Sequence, residues 1–453
     1  MGNVLGNIEK KYNVKSIESD GVQIWPWLRL ELMYISLKEY KSKVINRQIK
    51  ISMLFELFIN FFCWFRKYDY IMFSSSNQRV EVDSNMYDKS LDYIVDVLGQ
   101  DKCLTIEVPY PNHFNRKKYY TKNVVSFRVL DAFRLIFKKA LGSKVNIENI
   151  NELNLLLEEN NLSLKSNLST LIKHFNNDVK IYTLLLKLYK PKSVFVNNAY
   201  GKMAFVFAAN KLGIKTVEVQ HGVIGYQHPA YNSNINLDAT FYPKFILLNG
   251  KNDANSINKS KIYADTQTYI VGSYFLDEAI SNFNKNSEIV KRLNDYEIRI
   301  GVTLQLDFEI ELIDLIIEVA RETPKFVFIL IPRGDYVTDL ASLNLPCNII
   351  TDMMDGFYNV IQHCDIHTTI YSTCALESPS FNITNIIYNY KNLSVNYFIG
   401  LLDFDLHKFI NNKDEYISAL QAFRNNKSLE LDNSRNYLPG YKNNINTIIS
   451  NII

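Results

Sequence analysis

The sequence predicts an α/β protein with two doubly wound domains, and three observations lead to this prediction. Short apolar runs of strand length alternate with segments of helical spacing over most of the chain, which is typical of parallel sheets covered by helices. The alternation is interrupted near residues 272–297. The length of 453 residues also exceeds that of one ordinary domain. We therefore expect two parallel sheets that face each other across a cleft.

The clearest element pattern is a strand–helix–strand crossover in the first half of the chain. Residues 194–198 and 216–219 are apolar runs of strand length, and residues 200–212 have the spacing of a helix that joins them. Such a crossover makes the two strands parallel neighbours. Ligands of open parallel sheets bind beyond the carboxyl ends of the strands, which is where Asn198 and His221 are expected.

The domain boundaries follow from the interruption of the pattern. Residues 1–272 are predicted to form a Rossmann-like N-terminal domain with added helices, and residues 273–440 a second Rossmann-like domain. Residues 441–453 are expected to form a helix that packs back on the first domain. In the second domain, helical segments are expected from Leu406 onward, and in the first a helix is expected over residues 87–98.

Charge and cysteine content exclude several classes of protein. The net charge is +3 and no basic run is present, which argues against a nucleic-acid partner. The five cysteines are scattered without paired spacing, so structural zinc and a disulfide framework are not expected. A reducing compartment fits this usage. The first twelve residues are polar and charged, which predicts no signal peptide and a cytoplasmic location.

The most apolar stretch of the chain, residues 51–65, has two interpretations. It is about 15 residues long, shorter than the roughly 20 needed to span a bilayer. It could be a buried helix. Alternatively, it could lie in the membrane interface, with Lys50, Arg66 and Lys67 directed toward lipid headgroups.

The first candidate site follows the strand at residues 216–219. His221 is a candidate general base or phosphate partner, because histidine titrates near neutral pH. Gly222 is expected to adopt a positive φ and to let a ligand approach closely. Glu218 shares a strand face with Gln220 and is expected to orient the loop. The alternative is a histidine that only satisfies loop carbonyls.

The second candidate site lies in the second domain. A strand gives way to Ser372 and Thr373, where a helix begins, and such a start can bind a phosphate. Glu377, one turn later, could accept hydrogen bonds from two ribose hydroxyls. Arg333 follows another strand and could neutralise a diphosphate, and Gln305 is a weaker candidate of the same kind. The alternatives are an ordinary helix cap and a surface turn.

Residues 74–79, with Tyr87 and Asp88, form a third polar group at the mouth of the first sheet. Such a group suits a hydroxyl-rich acceptor, although a solvated loop is the alternative. The sequence contains neither the phosphate loop of P-loop NTPases nor the glycine fingerprint of dinucleotide-binding domains. It also lacks paired-cysteine and HExxH metal motifs.

These motifs resemble those of GT-B glycosyltransferases of bacterial surface polysaccharide biosynthesis. The run 220–222, followed by His228 and Tyr231, resembles the central motif of the cytoplasmic capsule and O-antigen transferases. Ile24-Trp25-Pro26 with Arg29 resembles an N-terminal feature of the same group. The run 372–377 is similar to the donor-site motif that many GT-B enzymes share.

The chain departs from these relatives at two positions. Relatives that use Kdo or sialic acid have a His-Pro pair where this chain has Ile331-Pro332-Arg333, which argues against a CMP-sugar donor. The glycine usual after the Glu-containing helix is replaced by Phe381-Asn382.

The resemblance implies sugar transfer from a nucleotide sugar to a glycan or lipid-linked glycan, without a metal or other cofactor. The second domain would hold the donor and the first the acceptor, with peripheral contact to the inner face of the cytoplasmic membrane. The implied catalytic residues are His221, Glu218 and Gln220. The implied donor-binding residues are Gly222, Gln305, Arg333, Ser372, Thr373 and Glu377. The implied acceptor-binding residues are Arg79, Tyr87, Asp88, Asn198, His228 and Tyr231.

Three other functions remain open at this point. A phosphotransferase of the teichoic-acid type shares the fold and would use CDP-glycerol or CDP-ribitol. A sugar-nucleotide 2-epimerase also shares the fold and would need no acceptor. A non-catalytic scaffold of polysaccharide assembly would bind no nucleotide at all.

Overall fold

The structure is a computed structural model, and contacts divide the chain into two compact units. It describes the chain except for residues 1, 40–59, 111, 141–144, 165, 226–227, 283–287, 306, 333–339, 341–342, 352–355 and 426–430. The first unit contains Met1–Leu248, Ala254–Val271 and Lys442–Ile453. The second unit contains Asn249–Asp253 and Gly272–Tyr441.

The secondary structure alternates between helices and strands along the described chain. The helices are α1 (Gly2–Lys11), α2 (Trp25–Glu39), α3 (Asp92–Leu98), α4 (Arg128–Ala140), α5 (Ile150–Glu159), α6 (Leu168–Tyr189), α7 (Met203–Lys211), α8 (Lys251–Lys259), α9 (Tyr274–Ser281), α10 (Glu288–Leu293), α11 (Glu309–Glu322), α12 (Phe357–Ile361), α13 (Cys374–Glu377), α14 (Leu393–Phe398), α15 (Lys413–Asn425) and α16 (Tyr441–Ile452). The strands are β1 (Glu18–Ser19), β2 (Val22–Gln23), β3 (Tyr70–Ser75), β4 (Arg79–Val82), β5 (Asn85–Asp88), β6 (Cys103–Val108), β7 (Val124–Ser126), β8 (Ser193–Asn197), β9 (Lys215–Val219), β10 (Phe245–Leu248), β11 (Gln267–Ile270), β12 (Ile298–Thr303), β13 (Phe326–Ile331), β14 (Ile349–Ile350), β15 (Ile366–Thr369), β16 (Thr384–Tyr388) and β17 (Lys408–Ile410).

The first unit is built around a parallel sheet with the strand order β11-β10-β9-β8-β3-β6-β7. Strands β3 and β8 are almost wholly buried, as expected for a parallel sheet with helices on both faces. The winding direction reverses between β3 and β8, because the chain runs from β3 to β7 on one side and from β8 to β11 on the other. This reversal is the topological switch point of the first unit.

The second unit is built around a second parallel sheet with the order β14-β13-β12-β15-β16-β17. Its winding direction reverses between β12 and β15. An apolar core that includes Ile300, Ile316 and Phe328 covers the sheet. The prediction of two doubly wound, Rossmann-like α/β domains is confirmed.

Helix α16 completes the first unit, although it follows the second unit in the chain. Ile445, Ile449 and Ile452 are buried, which gives the helix an apolar stripe at the spacing i, i+4 and i+7. Nζ of Lys215, at the start of β9, donates a hydrogen bond to the carbonyl of Ile452 at 2.8 Å. Residues Lys442–Ile453 are therefore an integral part of the first unit.

Two local predictions of secondary structure were wrong. The helix predicted over residues 87–98 begins only at Asp92, because residues 79–88 form a hairpin of β4 and β5. The hairpin turn is formed by Asp83 and Ser84, both at positive φ. Such turns usually contain glycine, so the sequence contains no clear turn signal here. Strand β17 lies where only helical segments were expected from Leu406 onward.

The apolar stretch at residues 51–65 is described only in part, since residues 51–59 lie outside the described residues. Phe61–Phe65 forms a short 3₁₀ helix in which Phe62 and Phe65 are exposed. No helix in the described ranges combines the length and apolar character that crossing a membrane requires.

Candidate functional site

Polar side chains gather at the switch point of the first sheet. Asn197 ends β8 and lies in register with Val219, which ends β9. Its Nδ2 donates to the hydroxyl of Ser74 on β3 at 3.2 Å. The three adjacent strands β3, β8 and β9 therefore bring their carboxyl ends, and the residues that follow them, to the place where an open parallel sheet binds its ligand.

Glu218 on β9 is the fully buried acid of this site. Its Oε1 accepts hydrogen bonds from the backbone N–H of Ala199, at 3.0 Å, and from the hydroxyl of Tyr231, at 2.7 Å. The Tyr263 side chain also hydrogen-bonds the carboxyl. Burial raises the pKa of the carboxyl to about 7, against the effect of these hydrogen bonds and of Lys202. Glu218 therefore exchanges its proton near neutral pH.

Lys202 is the cation of the site. Its Nζ donates to the backbone carbonyl of Asn197 at 2.6 Å and to the side-chain Oδ1 of Asn197 at 3.0 Å. Burial lowers the pKa of the ammonium to about 8, although the charges of Glu218 and Asp88 oppose the shift. Lys202 is therefore charged at neutral pH and is held in place at the end of β8.

His221 lies among aromatic rings just after β9. The ring centroid of Tyr200 is 5.8 Å from that of His221 and 5.6 Å from those of His228 and Tyr231. Nδ1 of His221 is buried and has no hydrogen-bond partner among the described residues. Burial lowers the pKa of His221 to about 4, and the charge of Lys202 adds to the shift. The imidazole is therefore neutral at pH 7.

Arg29 supports the loop that carries Tyr231. Its guanidinium is buried and donates to the carbonyls of Pro229, at 2.5 Å, and Asn232, at 2.9 Å. Its Nε pairs with the buried carboxylate of Glu9 at 2.7 Å, and Nε1 of Trp25 donates to the same carboxylate at 3.1 Å. The motif around Trp25 and Arg29 thus fixes the loop behind the site.

The same loop carries His228, whose Nδ1 accepts a hydrogen bond from the backbone N–H of Ala230 at 3.2 Å. Burial lowers the pKa of His228 to about 4, so this ring is also neutral at pH 7. Its centroid lies 5.0 Å from that of Tyr231. The loop therefore presents two aromatic rings next to Tyr200 and His221.

Gln220 and Gly222 shape the turn after β9. Nε2 of Gln220 donates to the carbonyl of Gly222 at 2.8 Å, and its backbone N–H donates to the carbonyl of Leu247 at 3.0 Å. The expectation of a positive φ at Gly222 is wrong, because the Gln220 side chain closes the turn without a left-handed residue. A Cβ at Gly222 would meet no heavy atom within 4 Å, so the position is open.

Arg79 and Tyr87 lie in a buried ionic network of the first unit. Arg79 donates to Glu107 and, at 3.1 Å, to Asp92, so its charge is already neutralised by two carboxylates. The Tyr87 ring is buried with its centroid 4.7 Å from that of Tyr120. Acceptor binding by these residues stays a prediction.

Asp88 connects that network to the site. The Ser74 hydroxyl donates to Asp88 and accepts from Asn197, which in turn holds Lys202. Burial raises the pKa of the Asp88 carboxyl, although the Arg79 guanidinium opposes the shift. A continuous chain of hydrogen bonds therefore runs from the buried base of the hairpin to the Lys202 ammonium.

The sequence-based prediction missed Tyr200 and Lys202. Both lie in the 3₁₀ turn Ala199–Lys202 directly after β8. Asn198, at a φ of 61°, caps this turn with an Oδ1 that accepts from the N–H of Gly201 at 2.8 Å. The available signal was a single basic residue shortly after a strand that ends in two asparagines.

The predicted donor residues of the second unit gather at its own switch point. Oε1 of Gln305, after β12, accepts from the backbone N–H of Tyr371, after β15, at 2.8 Å. Ser372 Oγ accepts from the N–H of Cys374 at 3.3 Å, and Thr373 directly precedes α13. These side chains lie where a doubly wound sheet binds its ligand.

Glu377 lies beside two buried phenols of the second unit. Burial, and then the Glu377 carboxylate, raise the pKa of Tyr358 well above its usual value. The same two causes raise the pKa of Tyr437. Arg333 lies outside the described residues, so its assignment to the donor site stays a prediction.

A buried hydrogen-bond network crosses the second sheet beneath these residues. Asn385 Nδ2 donates to the carbonyl of Ala375 at 2.9 Å, so its Oδ1 is the acceptor for Nδ1 of His367 at 2.7 Å. Nε2 of His367 then accepts from the hydroxyl of Thr303 at 2.9 Å. Burial lowers the pKa of His367 to about 4, so the ring is neutral at pH 7.

Comparison with known proteins supports the fold. No protein-family model matches the sequence, and no curated protein matches it either. CalG4, the calicheamicin glycosyltransferase, is 11% identical with a TM-score of 0.50, and the match covers 85% of this chain and 98% of that one. At this identity the likeness shows the fold alone, which is of the GT-B type.

Two further solved structures have slightly lower TM-scores. The S. aureus MnaA–UDP co-structure is 15% identical with a TM-score of 0.49, and the match covers 86% of this chain and 98% of that one. The UDP-GlcNAc 2-epimerase of Methanocaldococcus jannaschii, in complex with UDP-GlcNAc and UDP, is 14% identical with a TM-score of 0.49. The match covers 84% of this chain and 99% of that one.

Proposed function

We propose that the protein is a glycosyltransferase that moves a sugar from a nucleotide sugar to a hydroxyl group of a surface polysaccharide or lipid-linked glycan. The group of Glu218, Lys202 and His221 at the first switch point carries this proposal. His221 Nδ1 is buried without a hydrogen-bond partner among the described residues. Unpaired buried polar atoms cost free energy, and a ligand rich in hydroxyls and phosphates would relieve that cost.

The fold alone does not determine the function, because one fold hosts many activities. The GT-B type fold shared with a glycosyltransferase supports the proposal only together with the chemistry of the site. Two switch points, each lined with polar side chains, provide separate places for reacting groups and for a nucleotide. The proposed location is the cytoplasm, at the inner face of the membrane that holds a lipid-linked acceptor.

His221 is the residue that touches the reacting hydroxyl in this proposal. A general base must be unprotonated at the working pH, and the lowered pKa of about 4 keeps His221 neutral. A neutral imidazole can accept a proton as a base, but it has no positive charge with which to bind a phosphate. Lys202, which is cationic at pH 7, suits the leaving phosphate. A base on the acceptor hydroxyl leads to inversion at the anomeric carbon.

Glu218 is a positioning residue in this scheme. It holds the Ala199 amide and the Tyr231 hydroxyl, and these groups flank Tyr200 and Lys202. Its partly ionised carboxyl also sets the local charge that Lys202 experiences. Glu218 therefore acts through its neighbours and does not touch the transferred sugar.

The second unit binds the nucleotide in this proposal. The hydroxyls of Ser372 and Thr373 and the amide of Gln305 would contact the phosphates, and Glu377 would accept from the ribose hydroxyls. Arg333 is proposed to neutralise the diphosphate. None of these steps uses a metal, so chelation by EDTA should leave the transfer rate unchanged.

A sugar-nucleotide 2-epimerase is the second candidate. The observation that favours it is the pair of pKa values, about 7 for Glu218 and about 8 for Lys202. The pKa values of both groups therefore lie near neutral pH, and both groups belong to the first unit. Proton transfer at carbon requires such an acid and base. Incubation with UDP-GlcNAc and no acceptor separates the two: only the epimerase would produce the C2 epimer, visible by NMR.

The first test identifies the donor by thermal unfolding with UDP, GDP, CDP, CMP, TDP and ADP. A ligand at 100 times its dissociation constant adds about 2.7 kcal/mol to the free energy of unfolding. Stabilisation by one nucleotide supports the proposal and names the donor class. A response to CDP favours the CDP-polyol phosphotransferase, and a response to none contradicts nucleotide binding and favours a scaffold.

The second test is the substitution His221→Ala. Turnover should fall by about 10²–10⁴-fold, with the nucleotide-induced stabilisation unchanged, because a base acts on the acceptor. The matched control is His174→Ala, at an exposed position on α6, which should retain full activity. Full activity in the His221 variant would contradict the assignment of the base.

A further inference from the structure

The largest exposures of apolar side chains lie on the first unit. Among the described residues, the most exposed large apolar side chains are Phe62, Phe65 and Leu188, at 82%, 74% and 71%. Leu184, one turn before Leu188 on α6, is 56% exposed. Single exposed apolar residues are common, whereas these four side chains lie on two segments of the same unit.

The two segments that carry these side chains touch each other. The Tyr189 hydroxyl, at the end of α6, donates to the carbonyl of Trp64 at 2.5 Å. The Phe61 ring packs edge-on against Phe62 and Phe65, with centroids 6.4 and 5.4 Å apart. On α6, residues four apart lie side by side on one face. Phe62, Phe65, Leu184 and Leu188 therefore belong to neighbouring elements, and we call them the apolar patch.

The parts of these segments that carry the exposed side chains are strongly basic, and Asp178, just before the second of them, pairs with Arg134 at 2.7 Å. Residues 61–67 and 179–192 contain no aspartate or glutamate. Their basic residues are Arg66, Lys67, Lys180, Lys187, Lys190 and Lys192, all of them exposed. Of these, Lys192 pairs with Asp69 at 2.9 Å. Exposed aromatic and leucine side chains between lysines and arginines match the two layers of an anionic lipid surface, which are apolar below and negatively charged above.

We propose that the apolar patch docks the protein on an anionic lipid surface. Phe62, Phe65 and Leu188 enter the boundary between headgroups and acyl chains, and the surrounding lysines and arginines contact the headgroups. A second copy of the chain fits this surface poorly, because self-association through the patch would bring like charges together. The proposal stands on the first unit alone and is independent of the proposed enzymatic activity.

Co-sedimentation of the full chain with lipid vesicles tests the proposal. We expect binding to vesicles of phosphatidylcholine with phosphatidylglycerol, little binding to phosphatidylcholine alone, and weaker binding as salt rises. The double substitution Phe62→Ser/Phe65→Ser should lower the partition coefficient by about 10- to 100-fold, since two apolar anchors are lost.

The matched control is Ile310→Ser/Ile399→Ser, which removes two side chains of the second unit that are 61% and 54% exposed. Its vesicle binding should equal that of the unchanged protein. Absence of binding to anionic vesicles, or equal loss in both double variants, overturns the proposal. So does a concentration-dependent dimer that the Phe62/Phe65 variant abolishes without any vesicle binding.

Quenching of tryptophan fluorescence gives a second test, which leaves Phe62 and Phe65 in place. The sequence has three tryptophans. Trp25 and Trp27 are buried, whereas Trp64 lies between Phe62 and Phe65 of the apolar patch and is partly exposed. Brominated phosphatidylglycerol should quench part of the emission, and Trp64→Phe should abolish that part. Emission that brominated lipid leaves unchanged contradicts the proposal.

Discussion

Glu218 and His221 are three residues apart, and burial shifts their pKa values in opposite directions. Burial favours the neutral form of each, which raises the pKa of the carboxyl and lowers that of the imidazole. Both groups are therefore partly or fully neutral at pH 7, next to one cation, Lys202. A site of this kind attracts an anion and keeps an unprotonated nitrogen available for a hydroxyl proton.

The substitution Glu218→Gln should change the pH dependence of stability. The folded carboxyl has a pKa of about 7, whereas the unfolded value is about 4.3. The free energy of unfolding therefore falls as pH rises between these values, by up to about 1.4 kcal/mol per pH unit. Urea unfolding of both proteins from pH 4.5 to pH 7.5 should show that the variant lacks this fall. Parallel curves would contradict a raised pKa.

The sequence singled out His221 because it directly follows an apolar strand, and Glu218 because it shares a strand face with Gln220. Lys202 and Tyr200 were not predictable in the same way. Their role depends on the αL conformation of Asn198 and on a turn that brings them back over β8. A turn of this kind leaves little trace in the spacing of apolar residues.

Helix α2 contributes to the site without any residue in it. Arg29 ties two carbonyls of the 228–232 loop to α2, and Glu9 on α1 neutralises its charge. Two N-terminal helices thus hold the loop that positions Tyr231 against Glu218. In this chain, the segment around Trp25 and Arg29 supports the loop behind the site.

Arg29→Met should destabilise the protein by about 3–5 kcal/mol, because it leaves the Glu9 carboxylate buried without its partner. The double substitution Glu9→Gln/Arg29→Met should cost less than the sum of the single changes. Urea unfolding of the four proteins gives the coupling energy. Additive effects would mean that the two side chains stabilise the helix pair independently.

His367→Gln should give the opposite pH effect to that of Glu218→Gln. The folded ring has a pKa of about 4 and the unfolded ring about 6.5. Its contribution is therefore lost as pH falls from 6.5 to 4, at about 1.4 kcal/mol per pH unit. Chemical unfolding across this range should show a smaller slope in the variant. An unchanged slope would mean that the ring protonates within the folded network.

Most elements were predictable because each parallel strand is a self-contained apolar run followed by a helix. The hairpin of β4 and β5 was not, since its residues alternate weakly and its turn lacks glycine. The base of the hairpin is buried where Arg79 forms ion pairs with Glu107 and Asp92. These ion pairs join separate elements, so local spacing does not predict them. Strand β17 is only three residues long, too short for a periodic signal.

At the scale of the molecule, the chain crosses between the two units several times, and glycines stand at two of the crossings. Gly272 has a φ of +90°, and a Cβ there would lie 2.0 Å from the carbonyl oxygen of Leu438. A Cβ at Gly250 would lie 2.3 Å from the carbonyl oxygen of Asn436. Segment 435–438 therefore packs directly against the backbone at both crossings.

Gly272→Ala should destabilise the protein by at least about 3 kcal/mol, because backbone strain adds to a clash with a carbonyl. The control Gly213→Ala also has a positive φ, of +71°, but no heavy atom within 4 Å. That change should cost only about 1 kcal/mol. Thermal unfolding of both variants separates strain from close packing, and equal losses would show that packing at Gly272 adds nothing.

The position of α16 has a consequence for synthesis on the ribosome. Residues Lys442–Ile453 belong to the first unit but are translated after all of Gly272–Tyr441. Domains generally fold as they emerge, from the N-terminal side onward. Here the nascent first unit keeps uncovered the apolar surface that Ile445 and Ile449 will occupy, throughout translation of the second unit. A chaperone that recognises exposed apolar chain should therefore bind the nascent protein until its last helix is released.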